Sequence, residues 1–199
     1  PTLLAVPGWN FATVWQGIAG VVPDREALVC GERRWTWGEF DDRASRLASH
    51  LASRGLRRGD SIAIDLFNTP EYLETFFAAL KLGCAPVNVN YRYVADEVHY
   101  VLSNADARAC VFDPAMTETV ADAAARLGSD DGPVLLEAGP RYEAALAAAD
   151  PDGPWRFRTP DGDEPILLYT GGTTGMPKGV IWRNDDLYVA QWALSRPGT

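Results

Sequence analysis

Short apolar runs alternate with amphipathic helical patterns along most of this chain. The runs predicted as strands are residues 61–67, 85–89, 108–112, 134–137 and 166–169. The helical patterns are predicted to start near Trp37 and then to cover residues 70–82, 96–104, 114–127 and 142–149. Strands that alternate with helices favour a mostly parallel sheet covered by helices. We therefore expect an α/β fold, with ligands bound beyond the carboxyl ends of the strands.

Local signals set the limits of two of these helices. Thr36 and Glu39 have the spacing of a capping box, and Gly55 is expected to end the helix that follows. Its predicted apolar face consists of Phe40, Ala44, Leu47 and Leu51. The next helix is expected to begin at Pro70 and to end at Gly83. Its apolar stripe, interpreted as core, consists of Leu73, Phe76, Phe77 and Leu80.

The last predicted strand leads into a loop rich in glycine and threonine. Residues 169–180 read YTGGTTGMPKGV, with Lys178 three positions after Gly175. The common nucleotide loop has its lysine directly after the second glycine, so this is a different loop. Glycines let backbone N–H groups approach a ligand, while threonine hydroxyls and a lysine can bind phosphate oxygens. Because Pro177 stiffens the turn, Lys178 is expected at its end and not on a helix.

The alternative interpretation of this segment is a flexible surface loop that joins a strand to a helix. A simple linker has no need of an ordered proline and lysine at these positions, so we favour a polyphosphate site.

Composition excludes several other kinds of protein. The net charge of −9 argues against a nucleic-acid surface, which needs a basic stripe. Cys30, Cys84 and Cys110 form no C-x-x-C pair, and with two histidines in the chain a zinc site is not expected. The cysteines are interpreted as reduced residues in or near the core of a cytoplasmic protein. No apolar run has the length of a membrane span.

The loop resembles the phosphate-binding signature of the adenylate-forming superfamily, which includes acyl-CoA synthetases, luciferases and adenylation domains of peptide synthetases. The usual form is [YF]-T-S-G-[ST]-T-G-x-P-K-G-V, and this chain departs from it once, in the pair Gly171–Gly172, where serine or threonine is common. Residues 35–66 and 79–90 are similar to two earlier segments of the family. Residues 9–20 resemble the lead-in helix of acyl-CoA synthetases.

The resemblance implies an N-terminal subdomain of an acyl-CoA synthetase-like large domain, and hence the N-terminal portion of an acid–thiol ligase. Such enzymes use ATP and Mg²⁺ to convert a carboxylic acid to acyl-AMP, and then coenzyme A to form acyl-CoA. The ATP phosphates are expected to contact Thr170, Gly171, Gly172, Thr173, Thr174, Gly175 and Lys178. Lys178 is expected to neutralise phosphate charge, and Thr170 to help hold Mg²⁺.

The adenine, ribose and acyl pockets of the family lie downstream of these 199 residues, so this chain alone is expected to be inactive. We predict a subdomain over residues 1–150, a linker at 151–164, and then a strand, the loop and a helix within 165–199. Asn184 stands where the family often has a histidine near its acyl pocket. Trp182 and Arg183 are similar to a subgroup of bacterial ligases for fatty acids and steroid side chains.

Two other functions remain open from the residues alone. One is a sister activity, either an adenylation module that loads a carrier protein or a luciferase-like oxygenase. The other is a remnant that binds a nucleotide or a partner chain without chemistry. A hydrophobic acid substrate and a possible homo-oligomer complete these expectations.

Overall fold

The fold is described from a computed structural model, which covers residues 8–128, 132–153, 158–171 and 175–194. In chain order the strands are β1 (Glu26–Cys30), β2 (Arg33–Thr36), β3 (Ser61–Asp65), β4 (Ala85–Asn88), β5 (Ala107–Phe112), β6 (Val134–Glu137), β7 (Pro165–Thr170) and β8 (Lys178–Arg183). The α-helices are α1 (Phe11–Val21), α2 (Trp37–Ser53), α3 (Pro70–Leu82), α4 (Ala95–Asn104), α5 (Thr117–Ala125), α6 (Pro140–Ala148) and α7 (Asn184–Leu194).

Six of these strands form one sheet in the order β6-β5-β3-β4-β7-β8. All neighbouring pairs are parallel except β7 and β8, which are antiparallel. The other two strands, β1 and β2, form a separate antiparallel hairpin. The predicted α/β fold with a mostly parallel sheet is therefore confirmed.

Helices cover both faces of the sheet. Successive side chains of the central strand β3 point to opposite faces, so they contact different helices. Ile62 and Ile64 of β3 pack in the same cluster as residues of α2, α3 and α6. Ala63, between them, packs with residues of α4 and α5. The central strand β3 and its neighbour β5 are thus largely buried from both sides, which explains why they read as continuous apolar runs.

The local signals for α2 act as the sequence predicts. The Thr36 side chain accepts a hydrogen bond from the Glu39 N–H at 3.2 Å, and the Glu39 carboxylate accepts one from the Thr36 N–H at 2.8 Å. The predicted apolar face, which consists of Phe40, Ala44, Leu47 and Leu51, is at most 2% exposed. This capping box and this face are confirmed.

Helix α3 also begins at Pro70, and Gly83 ends it in the left-handed conformation with φ of 74°. Phe77 and Leu80 are fully buried, but Leu73 is 36% exposed, so assigning Leu73 to the core was wrong. Leu73 lies in the first turn of α3, where a surface groove shared with β1 stays open.

Three features were not predicted from the sequence: the β1–β2 hairpin, the strand β8, and the division of residues 114–127 into a 3₁₀ turn (Pro114–Met116) followed by α5. All six residues of β8 are exposed, so it lacks the alternation of buried and exposed side chains that marks a strand. Its pairing with β7 makes it a strand.

Candidate functional site

The glycine-rich loop (residues 171–177) connects the antiparallel strands β7 and β8. Thr170, which ends β7, lies opposite Lys178, which begins β8. Directly opposed residues of an antiparallel pair project from the same face, with Cβ atoms about 4.5–5.5 Å apart. The Thr170 hydroxyl and the Lys178 side chain therefore flank the base of the loop, and both residues are exposed. As the sequence predicts, Lys178 follows the turn and is not part of a helix.

One glycine in the described part of the loop has a backbone conformation that other residues rarely adopt. Gly175 has φ of 130°, a conformation that side-chain-bearing residues rarely adopt. Pro177 is buried, whereas Gly171, the first residue of the loop, and Gly175 are exposed. Gly172, Thr173 and Thr174 lie outside the described residues, so their predicted phosphate contacts stay predictions.

Asn88 at the end of β4 fixes the position of the strand that carries this loop. Its side-chain oxygen accepts a hydrogen bond from the Tyr169 N–H at 2.6 Å, and its side-chain amide donates to the Tyr169 carbonyl at 3.2 Å. The amide thereby acts as one more residue of the β4 ladder, one position beyond the main-chain pairing of Asn88 with Leu168. Thr170 and the loop begin directly after this double hydrogen bond.

The Tyr169 side chain explains the glycine that follows Lys178. Its hydroxyl donates to the Asn104 side-chain oxygen of α4 at 2.7 Å, which holds the ring across β8. A Cβ added at Gly179, opposite Tyr169 in the hairpin, would lie 2.8 Å from the ring Cζ atom. Gly179 is therefore needed for close packing, because its own φ is not in the left-handed region.

The sequence motif contains Tyr169 and Gly179 but does not reveal that they touch. Asn88 was missed altogether, and its one sequence signal is an amide in the otherwise apolar run APVNV over residues 85–89. Such an amide needs a hydrogen-bond partner when it is half-buried, and the structure supplies one from a strand 81 residues away.

A buried carboxyl group ends the central strand at the same edge of the sheet. Asp65, the last residue of β3, is 1% exposed, and its Oδ1 atom has no hydrogen-bond partner within the described chain. Burial, with a contribution from Asp113, raises the pKa of Asp65 to about 7. The carboxyl group is thus partly protonated at neutral pH.

Asn184 has a structural role in this chain. It is fully buried, its side-chain oxygen accepts from the Phe11 N–H at 3.2 Å, and its amide donates to the Glu164 carbonyl at 2.9 Å. These bonds join the start of α7 to the start of α1 and to the segment before β7. Asn184 therefore holds the starts of these two helices together.

Few other groups in the described chain suggest a metal or thiol site. No cluster of three or more histidine, cysteine, aspartate or glutamate side chains that would hold a metal ion occurs among the described residues. Cys30, Cys84 and Cys110 are free thiols, and burial raises the pKa of Cys84 to about 12. In the described ranges no helix has the length and apolar character needed to cross a membrane.

The geometry suits an anionic ligand held at the mouth of a hairpin. Lys178 supplies a positive charge, Thr170 supplies a hydroxyl, and the glycines leave backbone groups accessible between them. Mg²⁺ is usually held by one or two carboxylates together with phosphate oxygens and waters. Thr170 would offer such an ion one hydroxyl oxygen, and the described residues contain no cluster of carboxylates that would hold it without phosphate oxygens.

Comparison with known proteins gives one consistent family. The family model for an AMP-binding enzyme matches residues 16–196. The chain is 35% identical to the medium-chain acyl-CoA ligase Mig of Mycobacterium avium, over 90% of this chain and 36% of that protein. It is also 35% identical to a 3-oxocholest-4-en-26-oate–CoA ligase of Rhodococcus rhodochrous, over 90% of this chain and 34% of that protein.

Solved structures agree with these sequence matches. A Mycobacterium tuberculosis fatty acyl CoA synthetase superposes with a TM-score of 0.80 at 25% identity, covering 95% of this chain and 38% of that one. The chain spans about a third of the length of the curated relatives it matches.

Proposed function

This chain belongs to the AMP-binding enzyme family, and on that basis we propose that it forms the N-terminal part of an ATP-dependent acyl-CoA ligase. In the first half-reaction a carboxylate oxygen attacks the α-phosphorus of ATP. The bond to the β-phosphate breaks, and pyrophosphate leaves with its electron pair. In the second, the thiolate of coenzyme A attacks the acyl carbonyl and AMP leaves.

The observation that carries this proposal is the placement of Thr170 and Lys178 on opposite sides of the glycine-rich loop. Transfer at phosphorus depends mainly on positioning and on stabilisation of the charge that builds up on the leaving group. Lys178 neutralises part of the charge on pyrophosphate, while Asn88 keeps the strand that leads to the loop in place.

The remaining loop residues complete the phosphate contacts in this proposal. Backbone N–H groups of residues 171–175 and the hydroxyls of Thr173 and Thr174 bind the β- and γ-phosphates. Thr170 would contribute its hydroxyl to Mg²⁺, which would supply additional positive charge at the phosphates.

The relatives support a hydrophobic acid as substrate. Three of these relatives are named as CoA ligases for medium-chain acids, for medium- and long-chain fatty acids and for a steroid carboxylate. This favours coenzyme A over a carrier protein as acyl acceptor. Trp182 and Arg183, which are similar to the same bacterial subgroup, agree with this choice.

The cellular location and the division of the chain belong to the proposal as well. A cytoplasmic location is supported by the three unpaired cysteines. A boundary at residues 151–164 is supported by the lack of helix or strand in the described part of that segment. Homo-oligomer formation remains a prediction.

The test replaces Lys178 with alanine in the full-length enzyme. Removing one charge-stabilising group typically lowers kcat by about 10²–10³-fold. We expect such a loss in ATP–pyrophosphate exchange with a fatty acid, and less than about threefold in thioester formation from preformed acyl-AMP. Arg126→Ala is the control, because Arg126 is an exposed cation paired with Asp122 on α5. Equal losses in both half-reactions would exclude Lys178 from phosphate binding, and a wild-type enzyme inactive with all carboxylic acids would refute the function.

A further inference from the structure

The hydroxyl group of Tyr93 is buried beside the glycine-rich loop without a partner. Tyr93 is 9% exposed, and its oxygen has no hydrogen-bond partner among the described residues. A buried donor without a partner is unfavourable, and such groups in native proteins usually have a specific reason.

Other buried tyrosines of this chain make Tyr93 an exception. The Tyr142 hydroxyl donates to the Glu74 carboxylate at 2.7 Å, and the Tyr169 hydroxyl donates to Asn104 at 2.7 Å. Both bonds have ordinary geometry. The described part of the fold therefore provides partners for these two tyrosine hydroxyls but leaves the Tyr93 hydroxyl, beside Gly171, without any.

The ring of Tyr93 is held firmly enough to keep its hydroxyl in place. Its N–H donates to the Asn90 carbonyl at 2.8 Å, within a turn that directly precedes α4. The ring packs in the core cluster that also contains Val89, Val98 and Tyr169. Burial, with a contribution from Glu97, raises the pKa of the Tyr93 hydroxyl, so it keeps its proton and remains a donor at neutral pH.

Gly171, the first residue of the loop, faces this hydroxyl. A Cβ added at Gly171 would lie 3.7 Å from the Tyr93 oxygen and 4.0 Å from the ring Cε1 atom. Because Gly171 carries no side chain, it offers the hydroxyl no side-chain partner. Glycine also rotates its peptide group more freely than any other residue.

We propose that Tyr93 is a positioning residue for phosphate binding, whose hydroxyl donates a hydrogen bond to the Gly171 carbonyl when a nucleoside triphosphate is bound. That bond fixes the carbonyl group of Gly171 at the start of the loop. This role rests on the proposed function, since it concerns the same nucleotide site. It adds Tyr93, which lies 77 positions before Thr170 in the chain, to that site.

The first test is Tyr93→Phe in the full-length enzyme, which removes the hydroxyl and keeps the ring. A hydrogen bond made in the nucleotide complex alone would be lost, so we expect the KM for ATP and the Kd for ATP to rise about tenfold. The KM for the carboxylic acid and the rate of thioester formation from acyl-AMP should change less than twofold. The melting temperature without ATP should stay the same or increase.

Tyr142→Phe is the matched control, because it also removes one buried hydroxyl. The Tyr142 hydroxyl has a partner in the free protein, so Tyr142→Phe should lower the melting temperature and leave the KM for ATP unchanged. If Tyr93→Phe instead lowers the melting temperature and leaves the KM for ATP unchanged, as expected for Tyr142→Phe, the Tyr93 hydroxyl has a merely structural role and the inference is wrong. If wild-type enzyme catalyses ATP–pyrophosphate exchange but Tyr93→Phe shows the same KM for ATP, the inference fails while the proposed function stands.

A second variant tests the geometry without any nucleotide. Gly171→Ser adds a Cβ that meets nothing closer than ordinary contact distance, 3.7 Å from the Tyr93 oxygen, and its hydroxyl extends beyond that Cβ within reach of the same oxygen. In this background Tyr93→Phe should lower the melting temperature, because it now removes a bond that the free protein makes. An unchanged melting temperature would show that the Tyr93 hydroxyl and position 171 are not neighbours, which also overturns the inference.

Discussion

Strands β3 and β8 belong to the same sheet but have opposite surroundings. All five residues of β3 are buried, whereas all six residues of β8 are exposed. β3 lies in the middle of the sheet with helices on both faces, and β8 is its outermost strand. The residues that determine stability are therefore concentrated at β3, and the predicted phosphate-binding lysine is on β8.

This difference separates two kinds of constraint on sequence. In β3 a side chain must fit a closed space, so its volume and polarity are restricted. In β8 Val180 and Ile181 are exposed, by 44% and 72%, so less of the fold depends on their side chains. What β8 requires is the pairing with β7 that brings Lys178 next to Thr170.

The largest expected effect compares the same substitution in both strands. Ile64→Ala removes a fully buried side chain from β3 and should lower the free energy of unfolding by about 2–5 kcal/mol. Ile181→Ala in β8 should change it by less than about 0.5 kcal/mol. Urea denaturation of both variants measures the two values. Similar losses would mean that β8 is covered in the intact protein.

The next effect concerns the charged residues at the two strands. Asp65 ends β3 and ionises at a cost, because the pKa in the folded protein is raised from 3.8 to about 7. The folded state keeps this proton to higher pH than the unfolded chain, so stability falls as pH rises from about 4 to about 7 and then levels off. Asp65→Asn removes that loss and should stabilise the protein by about 1–3 kcal/mol at pH 8.

The free energy of unfolding, measured from pH 4 to pH 8, tests whether stability falls as the pH rises. The advantage of Asp65→Asn over wild type should grow with pH across that window. Lys178→Gln, at the exposed start of β8, should leave the same profile within about 0.5 kcal/mol of wild type. An advantage of Asp65→Asn that shrinks with rising pH would mean that the carboxylate has a stabilising partner.

The smallest effect sharpens the comparison within β8. Gly179→Ala places a Cβ against the ring of Tyr169 and should destabilise the protein by about 1–2 kcal/mol, as overpacking usually does. Gly17→Ala is the control, because Gly17 lies within α1 with nothing near its Cβ position and should gain about 0.5–1 kcal/mol. Thermal unfolding compares the two. A neutral Gly179→Ala would mean that the ring of Tyr169 moves aside freely.

Sequence reasoning succeeded where the determining contacts are local. The capping box of Thr36 and Glu39, the end of α3 at Gly83, and most helix and strand limits depend on residues a few positions apart. The loop motif is equally local, and it identified Thr170 and Lys178 as candidates before their pairing was known. Sequence reasoning failed for Leu73, because the exposure of this residue depends on how much of α3 the distant strand β1 covers.

By itself the sequence determined the α/β class, the order of its elements and the loop to which the function is assigned, because periodicity and turn chemistry act over short stretches of chain. Only the tertiary structure decided the strand order, the hydrogen bonds from Asn88 to Tyr169, the isolation of the Tyr93 hydroxyl and the burial of Asp65. Each of these depends on groups brought together from distant parts of the chain, and no short-range pattern records which distant groups will meet.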